Sequence, residues 1–207
     1  APEFVRPEVH RAVDDGPRPE RAGDLSQLRT HPADEFVAVA VRDQRPRVAS
    51  AECVDDHELA AQQPDAIVLQ ETKLTDDKFP HAEIEAAGYA AQWFGQKTYN
   101  GVALLSKSPA TDVVRNIPGF ADESARLIAG TVNGVRIVGG YFPNGQAPGS
   151  DKFEYKMQWL RALREGLREE LAAHPSLVLL GDFNIAPEDR DVHDPVAWAG
   201  QIHCTPE

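Results

Sequence analysis

The sequence predicts an α/β protein with layered sheets, and two observations carry that prediction. An amphipathic pattern typical of one long helix spans residues 151–173, and a continuous apolar run follows at 177–180. Asn133-Gly134 lies between two further apolar runs, which is the strongest short signal for a β-hairpin. The order of strands, hairpin, helix and strand along the chain therefore favours helices packed on sheets.

Residues 1–58 differ in texture from the rest of the chain. Residues 1–35 carry five prolines and no apolar run, whereas residues 36–41, FVAVAV, have the composition of one strand. Eight arginines but no lysine precede Lys73, a composition that a GC-rich gene gives when it is read out of frame. We interpret residues 1–58 as disordered or out of frame, with a peculiar natural extension as the alternative, and residues 59–207 as a partial domain.

Strand-like runs begin soon after residue 59. AIVLQ at 66–70 follows the breaker Pro64 and is continuously apolar over four residues, as in a strand buried on both faces. Runs at 89–94 and 101–106 are further predicted strands, and residues 79–87 have weak helical character. These patterns predict three strands and one short helix.

The second half of the domain contains the most regular patterns. Strands are predicted at 126–132 and 135–141, on either side of the hairpin turn, and at 177–180. The helix at 151–173 places its apolar residues on one face, so we expect that face in the core. The residues of that face are Phe153, Met157, Leu160, Leu163, Leu167 and Leu171.

Composition indicates an ordinary globular protein of 207 residues, with 42% apolar and 26% charged residues. No apolar stretch reaches the length of about 18 residues that a membrane span needs, and no secretory pattern opens the chain. Cys53 and Cys204 match no zinc spacing and suit a reducing cytoplasm, where we expect a monomer. The net charge of −12 argues against a sequence-independent DNA coat, but not against an enzyme that meets phosphate through a metal.

Polar side chains follow three of the predicted strands, at 70–73 (QETK), 141–145 (YFPNG) and 181–184 (GDFN). Carboxylate and amide oxygens on rigid supports suit a hard cation such as Mg²⁺. Asparagine, lysine and tyrosine side chains can hold phosphate oxygens or a leaving oxygen. This is the equipment of metal-assisted hydrolysis of a phosphate ester, and no P-loop or GxGxxG motif competes with that interpretation.

A purely structural interpretation exists for each stretch. GDFN also suits a strand-to-turn junction in which Asp182 and Asn184 cap the turn. Tyr141 could be an ordinary half-buried strand tyrosine, and Lys73 a solvated partner of Glu71.

Four longer stretches raise the functional interpretation above the structural one. QETKL, NGVALLSK, GGYFPNGQAPGSDKFEYKMQWL and LLGDFNIAPEDRDVHDP together resemble the endonuclease/exonuclease/phosphatase superfamily, and within it the exodeoxyribonuclease III family of abasic-site repair nucleases. The resemblance implies a four-layered α/β sandwich with two packed mixed sheets, of which this chain holds a part. It also implies Mg²⁺ or Mn²⁺ as cofactor, and double-stranded DNA with abasic sites or 3′ ends as substrate.

The resemblance also implies a role for each matching side chain. Glu71 corresponds to the metal ligand, and Tyr141 to the tyrosine at the scissile phosphate. Asp182 corresponds to the residue that aligns or activates the attacking water, and Asn184 to the one that orients the phosphate. Asn144 corresponds to a residue that holds the DNA phosphate.

Lys73 is a weaker substrate-binding candidate beside the metal carboxylate, and Gln70 flanks it on the other side. Two elements of the family have no match in this sequence: an early Trp-Asn-Val-Asn strand motif, and a late element with an Asp and then an Asp-His pair. His193 and His203 lie in no matching motif, so we do not take them as substitutes. We therefore expect an incomplete site, a partial fold and cleavage well below that of an intact relative.

Two other functions stay open on the sequence. One is a phosphohydrolase of the same superfamily that acts on small phosphoesters, which turnover of abasic duplex and of a small phosphomonoester would separate. The other is a non-catalytic DNA-binding fragment, which would bind abasic duplex without cleaving it.

Overall fold

Two sheets carry the fold of this computed structural model, which describes residues 63–206 and the backbone of two short strands before them. The first sheet has the strand order β2-β1-β3-β5-β4, and every pairing in it is antiparallel. Its strands are β1 (Ala38–Arg42), β2 (Arg45–Pro46), β3 (Ala66–Gln70), β4 (Ala90–Phe94) and β5 (Val102–Ser106).

The second sheet is mixed and has the order β6-β7-β8-β9. Its first three strands form an antiparallel meander, and β9 then pairs parallel with β8, because helix α2 carries the chain back between them. Its strands are β6 (Thr111–Arg115), β7 (Leu127–Val132), β8 (Val135–Tyr141) and β9 (Leu177–Asp182). The helices of the described chain are α1 (His81–Ala86), α2 (Asp151–Ala173) and α3 (Pro195–Trp198), with 3₁₀ turns at Asp76–Lys78 and Asp189–Asp191.

The two sheets pack face to face, and the alternation of side chains along β3 shows how. Ala66 and Val68 point into a core shared with Ile128 and Ile137 of the second sheet. Residues 67 and 69 point the other way, into a cluster that contains Ile84 of α1. This alternation explains why β3 is buried on both faces.

Helix α2 covers the outer face of the second sheet, where Trp159 and Leu163 pack on Ala129 and Val138. With α1 and its flanking loops on the outer face of the first sheet, the order of layers is helix, sheet, sheet, helix. The predicted four-layered α/β sandwich is therefore confirmed, although among the described strands only the second of its two sheets is mixed.

The predicted strands and the long helix are confirmed within two residues at each end. The patterns also missed several short elements. Strand β6 was not predicted, because its sequence TDVVR is short and mostly exposed. The predicted strand at 36–41 overlaps β1, which pairs with β3. Most of residues 1–58 lie outside the described chain, so their interpretation and the domain boundary at 59 stay predictions.

The prediction for the buried face of α2 was partly wrong. Leu171 is 51% exposed, whereas Lys156 and Trp159 are buried beside Phe153 and Leu163. Lys156 lies in this face, where three backbone carbonyls bind its ammonium, a contact that a count of apolar residues cannot anticipate. Among the described residues, no helix is both long enough and apolar enough to cross a membrane.

Candidate active site

The ends of three strands bring the predicted residues to one edge of the sandwich. Strands β8 and β9 run parallel with Tyr141 opposite Asp182, so both side chains leave the second sheet at the same edge. Glu71 follows the last residue of β3 in the facing sheet. Gly181 permits the close pairing there, since a Cβ at this position would lie 1.9 Å from the carbonyl oxygen of Gly140.

Glu71 joins the two sheets through its hydrogen bonds. The hydroxyl of Tyr141 donates to Oε1 of Glu71, and Nζ of Lys73 lies 3.1 Å from Oε2. Burial and the hydrogen bond to Glu71 raise the pKa of Tyr141, so the phenol stays protonated and remains a donor at neutral pH. The guanidinium of Arg126 lies 4.9 Å from the centre of the Tyr141 ring.

The backbone that presents Glu71 is unusual. Glu71 and Lys73 have φ values of 51° and 53°, a left-handed conformation that non-glycine residues adopt only when their surroundings hold them. Two backbone hydrogen bonds hold them here, from N of Thr72 to Gly101 at 3.2 Å and from N of Lys73 to Asn100 at 3.1 Å. The carboxylate is thus directed by local structure, as a functional group on a rigid support should be.

Asp182 and Asn184 form a tight loop after β9. Asn184 donates to Asp182 twice, from its backbone N at 3.1 Å and from Nδ2 at 2.9 Å, and Nδ2 also lies 3.0 Å from the carbonyl of Phe142. Burial raises the pKa of the Asp182 carboxyl, and the charge of Glu71 adds to the rise, although the bonds from Asn184 oppose it. A carboxylate with a raised pKa is a better base than an exposed one.

Asn144 links this loop to a histidine. Its Nδ2 lies 3.2 Å from Oδ1 of Asn184 and 3.1 Å from Nε2 of His203, and its Oδ1 accepts from the backbone N of Gln146 at 3.1 Å. The ring of His203 stacks on Trp198, with ring centres 5.5 Å apart.

The structure therefore brings all six predicted side chains to one site, in two hydrogen-bonded groups. Tyr141, Glu71 and Lys73 form the first group. The second consists of Asp182, Asn184 and Asn144 together with His203. Sequence reasoning set His203 aside, because nothing in its local pattern marks it as part of a site.

A divalent cation fits the oxygen donors at this edge. Carboxylate oxygens are hard ligands, and Mg²⁺ typically uses one or two of them together with substrate phosphates. Glu71 and Asp182 lie close enough for the charge of one to raise the pKa of the other, a repulsion that a cation relieves. Within the described ranges no three acidic, histidine or cysteine side chains are placed so that they could hold a metal ion together, so Glu71 and substrate oxygens remain the predicted ligand set.

The described chain thus combines a four-layered sandwich with acidic, amide and phenolic groups at one edge, which is the arrangement that the sequence resemblance predicts. The profile of the Endonuclease/Exonuclease/phosphatase family matches residues 56–202, so the chain belongs to this family. It is 34% identical to an exodeoxyribonuclease III of Haemophilus influenzae over 136 residues, which cover 63% of this chain and 51% of that protein.

Two solved structures agree with this assignment. One is a 3′-5′ exonuclease, NExo, of Neisseria meningitidis, with a TM-score of 0.69, 52% identity, and coverage of 70% of this chain and 57% of that one. The other is described as the 3′ phosphatase NExo of Neisseria bound to a product DNA hairpin, with a TM-score of 0.69, 50% identity, and coverage of 72% and 58%. The chain spans about half the length of the curated relatives it matches, 51% and 54% for two exodeoxyribonucleases.

Proposed function

We propose that this chain belongs to a DNA-repair nuclease that hydrolyses DNA phosphodiesters at abasic sites and phosphate esters at 3′ ends, with Mg²⁺ or Mn²⁺ as cofactor. The observation that supports this most strongly is the convergence of Tyr141, Asp182 and the pair Asn144–Asn184 at one edge. Relatives of about 50% identity are a 3′-5′ exonuclease and a 3′ phosphatase, which are the activities such an edge suits.

In the proposed reaction, each side chain of the candidate active site has a separate role. Asp182 accepts a proton from the attacking water as the water oxygen bonds to phosphorus. The bond from phosphorus to the 3′ oxygen breaks, and the released oxygen takes up a proton from solvent water to become a hydroxyl. Asn144 and Asn184 orient the phosphate oxygens through their amides, and the neutral hydroxyl of Tyr141 donates a hydrogen bond at the same edge. A divalent cation held by Glu71 would stabilise the charge that develops on the phosphate.

Single-turnover cleavage of a labelled duplex tests the proposal, with one abasic substrate and one substrate that ends in a 3′-phosphate. Asp182→Asn removes the proton acceptor, and we expect the rate to fall by about 10²–10³, the typical cost of one transition-state contact. Asp189→Asn makes the same chemical change at an exposed position and should leave the rate unchanged.

Three outcomes would count against the proposal. Equal cleavage by the Asp182→Asn variant and the unaltered chain would place the activity elsewhere or in a contaminant. Faster turnover of a small phosphomonoester than of either duplex would favour a small-molecule phosphohydrolase. Binding of abasic duplex with no cleavage in Mg²⁺ or Mn²⁺ would favour a non-catalytic DNA-binding fragment.

A further inference from the structure

Lys156 is a charged residue in the centre of the buried face of α2. Its side chain is 2% exposed, and Phe153 and Trp159 lie one turn away on either side along the same buried face. Its Nζ donates to three backbone carbonyls, those of Asn144 at 3.2 Å, Asn184 at 2.8 Å and Ile202 at 3.2 Å. Because an ammonium has three N–H donors, all of them are used.

The three carbonyls belong to three separate loops of the candidate active site. Asn144 follows β8, Asn184 follows β9, and Ile202 directly precedes His203. The same three loops are also joined by their side chains, because the Asn144 amide bonds to the side chains of both Asn184 and His203. The ammonium thus binds the backbone of the loops whose side chains contact one another.

The glycine after Asn144 adapts the first loop to the lysine. Gly145 has a φ of +90°, and a Cβ there would lie 2.9 Å from Cδ of Lys156 and 3.1 Å from Cδ1 of Ile202. Any larger residue at this position would push the lysine stem out of its place. The backbone at Gly145 therefore leaves the space that the side chain of Lys156 occupies.

The charge of Lys156 is not neutralised by a carboxylate contact. Burying an ammonium is costly unless an acid pairs with it, yet within the described chain no ion pair involves Lys156. Burial lowers its pKa, and the negative charge of Asp182 opposes that effect from a longer range. Burial is the main cause that lowers the pKa of His203, and the positive charge of Lys156 is the second cause. Its positive charge therefore acts on the cluster where a phosphate is proposed to lie.

We propose that Lys156 is a positioning residue of the phosphate site, which fixes the three loops and supplies the positive charge that favours a terminal phosphate dianion over a neutral 3′ end. The inference rests on the proposed function and deepens it, because it names the group of the substrate that the site selects. Lys156 acts through the loops and through space, since its own donors are occupied.

The test compares the binding of two probes to the 207-residue chain. These are a duplex that ends in a 3′-phosphate and the same duplex with a 3′-hydroxyl, measured by fluorescence anisotropy with divalent ions chelated. Lys156→Met keeps an apolar stem and removes the ammonium. Arg161→Met is the matched control, because it removes one positive charge from the same helix at a side chain that is 60% exposed.

We expect Lys156→Met to lose about tenfold in affinity for the 3′-phosphate duplex, the scale of one unscreened charge interaction, with little change for the 3′-hydroxyl duplex. Arg161→Met should preserve the ratio of the two affinities. An equal loss for both duplexes would show a merely structural role, and an unchanged ratio would remove any role in phosphate selection. Either result overturns the proposal.

A second variant and a second probe keep the proposal testable if the first ones fail. If circular dichroism shows that Lys156→Met does not fold, Lys156→Arg serves instead. A planar guanidinium keeps the charge but cannot direct three donors in the same way, so both affinities should fall while their ratio stays close to that of the unaltered chain. A tenfold fall of the ratio in Lys156→Arg would overturn the proposal.

If the unaltered chain does not distinguish the two duplexes, the proposed DNA function fails separately. Inorganic phosphate is then titrated while the ¹⁵N side-chain amide signals of Asn144 and Asn184 are recorded. Shifts in the unaltered chain that are lost in the Lys156 variant, and kept in Arg161→Met, would support the role of Lys156. The same shifts in all three proteins, or none in the unaltered chain, would overturn it.

Discussion

The ion pair between Arg136 and Glu170 should be the single most stabilising polar contact between α2 and the second sheet. Two nearly parallel bonds form it, from Nε to Oε2 at 2.7 Å and from Nη2 to Oε1 at 2.8 Å, and Nη1 donates to the carbonyl of Asp112 at 2.7 Å. The Arg136 side chain is 2% exposed and that of Glu170 is 20% exposed. Removing the acid therefore leaves a buried guanidinium that pairs with no other carboxylate among the described residues.

Glu170→Gln removes that charge with little change of shape. Breaking a buried pair typically costs about 3–5 kcal/mol, and the partial exposure of Glu170 lowers our expectation to about 2–4 kcal/mol. For a domain of this size that corresponds to a fall of roughly 5–15 °C in the midpoint of thermal unfolding. Circular dichroism at pH 7 measures the change.

The pH dependence of the same comparison checks the mechanism. The hydrogen bond from Arg136 depresses the pKa of Glu170 below its ordinary value of 4.5. A depressed pKa gives stability that is complete above the unfolded-state value and is lost as pH falls through the folded-state value. The unaltered chain should therefore lose its advantage over Glu170→Gln only below about pH 4.5.

A matched substitution on the same helix provides the control. Glu165→Gln removes an acid that pairs with Arg164 and Arg168, but all three side chains are more than half exposed, so stability should hardly change. Equal losses in both variants, or a Glu170 effect that persists unchanged at pH 3, would refute the argument from burial.

Three further predictions concern the site and the packing beneath it. Burial raises the pKa of Asp182 above its ordinary value of 3.8, so the rate of single-turnover cleavage should rise with pH through an inflection above that value. An inflection at or below 3.8 would contradict the role of Asp182 as a buried base. Tyr141→Phe loses the hydrogen bond to Glu71, so the cleavage rate should fall by about 10²-fold while the midpoint of thermal unfolding stays close to that of the unaltered chain. A cleavage rate near that of the unaltered chain would exclude Tyr141 from the site. Gly139→Ala would place a Cβ 2.4 Å from Cγ1 of Val68, and we expect a loss of about 1–3 kcal/mol in denaturant unfolding, whereas unchanged stability would mean that the sheets can separate freely.

Local patterns predicted most of the fold, because the information they use is local. The buried strand β3 and the helix α2 carry continuous or periodic apolar patterns, and both were found with the predicted bounds. The hairpin around Asn133-Gly134 was predicted for the same reason. Strand β6 was missed because an exposed edge strand needs no apolar run.

The candidate site divides in the same way. Glu71, Tyr141 and Asp182 were predicted because each lies at or just after the end of a recognisable strand, in a stretch that resembles the family. Lys156 and His203 were not predicted, because their roles depend on contacts with a different segment of the chain. Lys156 contacts the carbonyl of Asn144, 12 residues away, and His203 contacts the amide of Asn144, 59 residues away. A lysine on an apolar helix face indicates a buried ammonium that needs acceptors, because buried polar groups are almost always hydrogen-bonded. Using that signal requires a search for the acceptors that the lysine could reach.

The separation of the two sheets should control the chemistry as well as the stability. Glu71 is carried by the first sheet, whereas Tyr141 and Asp182 are carried by the second, so the bond from Tyr141 to Glu71 spans the interface. Gly139 lies two residues before Tyr141 and contacts Val68, three residues before Glu71. Any change that widens this contact moves the phenol away from the carboxylate. Protein interiors are packed too tightly to absorb such a shift locally, so a substitution at Gly139 should weaken cleavage even where the chain remains folded.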